Sequence, residues 1–130
     1  MGFNVEAVEM SFQPKLVYVA SPYSHEDPAV VEHRMEIYSR IDAKLIAQGL
    51  ITISPLMKHH ILKYEKLPGD WAYWQRYSET LLQKCDALFI ICLDGWKTST
   101  GVQAELALAI KLGLPVTYLN ESGEEIDEPL

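Results

Sequence analysis

At 130 residues the chain has room for one domain, inside the roughly 100–200 residues that a single core spans. Apolar side chains make up 48% of it and charged ones 22%, a globular mixture that excludes a fibre, a repeat array or a mainly disordered chain. The formal net charge of −7 is concentrated at the end, in Glu121, Glu124, Glu125, Asp127 and Glu128; the body before them stands at about −2 and has no basic stripe to hold a nucleic-acid polymer.

The opening MGFNVEAVEM has neither the basic start nor the apolar centre of a signal peptide, and Glu6 stands where a myristoylation pattern needs Ser or Thr. No apolar run approaches the roughly 20 residues that cross a bilayer. Cys85 and Cys92 lie seven apart in an apolar segment, without CxxC or metal-ligand spacing, and read as free buried thiols. A reducing, cytoplasmic location without membrane partners is expected.

The first element is KLVYVA at 15–20, β-branched and aromatic, which reads as a buried strand that stops at Ser21-Pro22. Asp27-Pro28 supplies an N-cap and a first-turn proline. Val31, Met35, Tyr38, Ile41 and Leu45 then follow at helical spacing to Gly49. Residues 50–53 form a short strand before Ser54-Pro55, and 56–69 read as loop with a helical turn. Asp70 caps a helix carrying Trp71, Trp74, Tyr77 and Leu81 on one face. Residues 87–93 are the most continuous apolar strand. The loop Asp94-Gly95-Trp96-Lys97-Thr98 leads into a helix over 100–112, closed by Gly113 and Pro115, and residues 116–119 make a last strand. The core therefore covers about 15–119 of one domain, and 120–130 read as a solvated acidic tail.

The alternation of strand and helix predicts an α/β fold: a doubly wound sheet of four or five mostly parallel strands, flavodoxin- or Rossmann-like. Ligands of such sheets bind beyond the carboxyl ends of the strands, where strand order reverses. That rule selects Ser21, Pro22, Tyr23 and Ser24 after the first strand, and residues 94–101 after the third.

Neither GxGxxG nor GxxxxGK[ST] nor HExxH occurs, which disfavours dinucleotide cofactors, P-loop chemistry and a zinc site. No cofactor or metal is expected. The adjacent His59-His60 is poor ligand spacing and reads as a loop or surface pair. Glu105 is more informative, being the only polar residue in AELALAI over 104–110. A carboxylate in so apolar a helix either faces a cleft, or sits at the surface complementing the helix dipole. Gly101, one turn earlier, leaves room for an approach to it. Thr100 with Gln103 fits a capping box, and the same helix start offers N–H groups to an anion. Tyr18 is by default a core tyrosine whose hydroxyl needs a partner, and Glu105 is within reach of its strand. Trp71 and Trp74 read as packing residues, whereas Trp96, between Gly95 and Lys97, reads as a ligand contact.

Together, VYVASPY at 17–23, CDAL at 85–88 and STGVQAE at 99–105 resemble the nucleoside 2-deoxyribosyltransferase superfamily. SPYSHEDPAVVEHR and DGWKTSTGVQAE are similar to a bacterial and phage branch of it. The resemblance implies that Glu105 is the nucleophile and that Tyr18 orients it. It implies that Ser99 matches the serine of relatives that hydrolyse deoxynucleoside monophosphates. The implied reaction is a retaining displacement at the anomeric carbon of a nucleoside or nucleotide. The superfamily's acid, which assists the departing base, falls on Ser78, a residue that is no general acid. Glu79 or Asp94 would have to stand in, or the chain is a non-catalytic nucleotide-binding module. An NAD-type glycohydrolase, whose leaving group needs no proton, is the other alternative. Relatives complete their pockets across subunits, so a homodimer or larger homo-oligomer is expected.

Overall fold

The computed structural model describes residues 15–129. Its five strands are β1 (Leu16–Ala20), β2 (Ile51–Ile53), β3 (Ala87–Ile91), β4 (Val116–Leu119) and β5 (Glu125–Ile126). They form one sheet in the order β2-β1-β3-β4-β5, with the first four parallel and β5 antiparallel to β4. Three helices accompany it: α1 (Pro28–Ala47), α2 (Trp71–Leu82) and α3 (Thr100–Leu112). Strand order reverses between β1 and β3, because β1 hands on to β2 on one side and β3 to β4 on the other. The crevice of a doubly wound sheet opens there.

Side chains alternate across a strand, and that alternation sorts the core into two layers. Val17, Val19, Phe89, Ile91 and Leu119 meet Tyr38, Ile41 and Leu45 of α1 on one face. Tyr18, Ala20, Leu88, Ile90 and Tyr118 meet Leu82 of α2 and Val102 and Ala109 of α3 on the other. Tyr18 is thereby directed towards α3, whichever residue waits there.

The helix boundaries follow local chemistry. Asp27 caps α1 by accepting from the Ala29 N–H at 2.9 Å, with Pro28 in the first turn. Helix α3 ends on Gly113 at φ 73°, the left-handed conformation that a residue without Cβ adopts at no steric cost. Its start departs from the expected capping box. Ser99, not Thr100, is the N-cap and accepts from the Val102 N–H, while the Gln103 amide donates to the Trp96 carbonyl instead of reaching back.

The helical turn expected after β2 is a 3-10 helix over Pro55–Ile61, capped by Ser54. The acidic end also differs from expectation. Its carboxylates are exposed, but its backbone returns as β5 through a turn in which the Asn120 side chain accepts from the N–H groups of Ser122 and Glu124. Ile126 packs on the α2/α3 layer, so the sheet extends past 119.

Thr117 lies buried in β4 with its hydroxyl unpartnered among the described residues. An unmade buried hydrogen bond costs about 1–3 kcal/mol. Thr117→Val keeps the shape and is expected to stabilise the fold by about 1 kcal/mol, as a rise in the urea midpoint at unchanged slope.

Candidate active site

Glu105 lies on the sheet-facing side of α3 and is buried. Its Oε2 accepts the hydroxyl of Tyr18, which is itself fully buried. No cation accompanies the pair: the ion pairs among the described residues are Arg40 with Glu36 and His59 with Glu32. Burial pushes the Glu105 carboxyl up to about 7, and the Tyr18 hydrogen bond draws it partly back. Burial, and then the adjacent Glu105, raise Tyr18 far above the ordinary phenol range, so it remains a protonated donor. Glu105 also faces open space, for it lines a cavity of about 500 Å³ at the carboxyl ends of β1 and β3.

One side of this cavity suits an anion. Ser99, Thr100 and Gly101 bring the start of α3 to the wall, and the Ser99 hydroxyl, accepting from Val102, keeps its own proton to donate. Arg34, in the second turn of α1, spans the gap between the two strand ends. Its Nη1 donates to the Ser24 carbonyl at 2.9 Å and its Nη2 to the Asp94 carbonyl at 3.3 Å. Its partners are neutral carbonyls, and among the described residues no carboxylate pairs with its charge at the cavity wall. Gly95 is required beside it: at φ 92°, with a Cβ falling 2.9 Å from Arg34 Nη2, no other residue fits without strain.

The opposite side is aromatic and apolar. Trp71 and Trp74 of α2 line it with Leu56 and Leu62. Trp71 packs against Gly101, where a Cβ would stand 3.2 Å from its ring, so the space left by that glycine holds an indole. Tyr23 crosses the same wall. Its hydroxyl lies 2.6 Å from His59 Nδ1, and His59 Nε2 lies 3.1 Å from the exposed Glu32 carboxylate. Burial, followed by the Glu32 charge, raises the Tyr23 phenol and keeps it protonated. Ser78 is buried on α2 and lines the cavity. Asp70, at the N-cap position of α2, makes no side-chain capping bond and lines it too.

Of the residues singled out in the sequence, Glu105, Ser21, Tyr23, Ser24, Gly95, Ser99 and Gly101 line this cavity, and Tyr18 reaches it through Glu105. Three do not. Pro22 is fully buried behind the loop, and Asp94 is exposed and contributes only its carbonyl to Arg34. Trp96 turns away to pack 5.8 Å from the Tyr118 ring, with Lys97 over its face, so the expected ligand contact lies partly buried against the core instead. Trp71 and Trp74 exchange roles with it, because α2 buries only Ser78 and Leu82 and presents its first turn to the crevice. Arg34 and His59 were missed. Arg34 could have been found as the base closing the SPYSHEDPAVVEHR segment, whereas His59 carried no signal beyond its neighbour.

The family described as a domain of unknown function (DUF1937) matches residues 15–121. Among solved structures, the chain is similar to a 2-deoxyribosyltransferase from the psychrotolerant bacterium Bacillus psychrosaccharolyticus. The two share 24% identity at a TM-score of 0.56, over 86% of this chain and 77% of that one. No curated protein matches the chain in sequence. The likeness establishes a shared fold, whose crevice is where the cavity lies.

Proposed function

The chain belongs to the DUF1937 family, and we propose that its cavity binds a nucleoside or nucleoside 5′-monophosphate and cleaves the N-glycosidic bond. The observation that carries this is Glu105, a buried carboxylate aligned by a buried tyrosine hydroxyl at a cavity walled by indoles. Ionised Glu105 attacks the anomeric carbon as the bond to the base breaks, giving a glycosyl ester on the carboxylate. Water or a second base then displaces the ester from the face the first base left, with overall retention. The indoles supply stacking surfaces for a base. The fold neighbour, a 2-deoxyribosyltransferase, supports this general kind of chemistry. Incubation with a panel of nucleosides, their 5′-monophosphates and NAD tests the reading. Release of free base from the nucleosides or nucleotides is expected, and none from any of them would reject it.

Arg34, Ser99 and the opening N–H groups of α3 favour the monophosphate. A hydrogen bond to a charged group contributes about 1.5–3 kcal/mol, so a nucleoside monophosphate is expected to bind at least about tenfold more tightly than its nucleoside. Arg34→Gln is expected to erase most of that preference. Calorimetric titration of deoxycytidine and its monophosphate against both proteins checks this. Equal affinities in the wild type would make the substrate a free nucleoside.

A further inference from the structure

Departure of a base from the anomeric carbon leaves the bond's electron pair on the base, which a proton must neutralise for most bases. Ser78 reaches Tyr18 from α2 but has no proton of useful acidity. Neither Glu79 nor Asp94 lines the cavity. A connected path from solvent to the aromatic wall exists elsewhere: exposed Glu32, then His59 Nε2, across the ring to His59 Nδ1, then the Tyr23 hydroxyl. The two ring nitrogens have different partners on opposite sides, the arrangement that lets imidazole pass a proton through.

We infer that Glu32, His59 and Tyr23 form a proton relay that protonates the departing base, with Tyr23 as the donor touching substrate. This rests on the glycosidase reading above. With His59 charged, Nε2–H donates to Glu32 and Nδ1–H donates to the Tyr23 oxygen, which frees the phenolic O–H for the base. As the glycosidic bond breaks, its electron pair stays on the base and takes the Tyr23 proton. Tyr23 takes the Nδ1 proton in turn, and His59 is left neutral and bonded to Glu32. The water or second base that displaces the glycosyl ester gives up one proton as it does so, and that proton returns through the Tyr23 oxygen to His59 Nδ1. Tyr23 is never left as a free phenolate, which its raised ionisation would otherwise oppose.

A leaving group that needs no proton separates this role from a structural one. Deoxyguanosine 5′-monophosphate requires the proton, whereas its N7-methyl derivative already carries the positive charge. Tyr23→Phe keeps the ring that packs edge-on against His59 and removes the hydroxyl. It is expected to lower the ratio of kcat on the first substrate to kcat on the second by about 100-fold. His59→Gln is expected to move the ratio in the same direction, and Glu32→Gln less. Melting temperatures of the variants guard against misfolding. Equal loss on both substrates in Y23F would overturn the relay and leave the glycosidase reading intact. A shift of the ratio in Asp70→Asn instead would overturn it and assign the acid to Asp70. A wild-type protein that cleaves neither compound would remove the relay together with the activity it serves.

Discussion

Replacing Glu105 with glutamine is expected to lower base release by at least about 10³-fold while the fold survives. The amide occupies the volume of the carboxylate and still accepts the Tyr18 hydroxyl, so the packing of α3 on the sheet is conserved. What it lacks is a nucleophilic oxygen to form the ester. Initial rates of base release for both proteins, with far-ultraviolet dichroism to verify the fold, give the measurement. Wild-type rates in E105Q would exclude a covalent role for Glu105. The ionised form is the one that attacks, so the wild-type rate is expected to fall as pH drops below about 7.

The same substitution is expected to make the protein more stable at alkaline pH. The carboxyl of Glu105 ionises near 4.5 in the unfolded chain and near 7 in the folded one, because burial disfavours its charge. Between those pH values the folded state holds a proton that the unfolded state has released. Stability is therefore fully present below about 4.5, declines as pH rises, and stops declining above about 7. Over that interval the loss amounts to about 3 kcal/mol. Glutamine has no charge to desolvate, so the variant escapes the loss. Urea unfolding at pH 4 and pH 8 is expected to give similar stabilities at the acid value and an advantage of up to about 3 kcal/mol for E105Q at the alkaline one. Parallel pH profiles would mean that the carboxylate is not desolvated as the geometry implies.

Much of this site was legible before any coordinates, because its key positions obey local rules. Glu105 stands out against an otherwise apolar helix, and the need of a strand tyrosine's hydroxyl for a partner points Tyr18 towards it. The switch-point rule located both loops without reference to a motif. The aromatic wall was not legible, because helical spacing shows which residues share a face but not what that face meets. Trp71 and Trp74 looked like packing residues and face the crevice, and Trp96 sat in a ligand-like loop and packs on Tyr118. His59 is held by partners 36 and 27 residues distant, a separation that no local pattern encodes. The strand β5 was hidden by its charges, although Asn120 and Gly123 carried the turn chemistry that makes it.

The bond between Tyr18 and Glu105 joins residues 87 positions apart, and β1 pairs with β3 across a comparable stretch of chain. The cavity draws its lining from both ends of the described residues. The first half of the chain carries Tyr18, Tyr23, Arg34 and His59, and the second carries Ser99 and Glu105. Closing so long a loop costs entropy and slows folding. The proposed chemistry is thus tied to completion of the sheet. Translation would have to carry the chain past Glu105 before the proposed substrate had a carboxylate to react with.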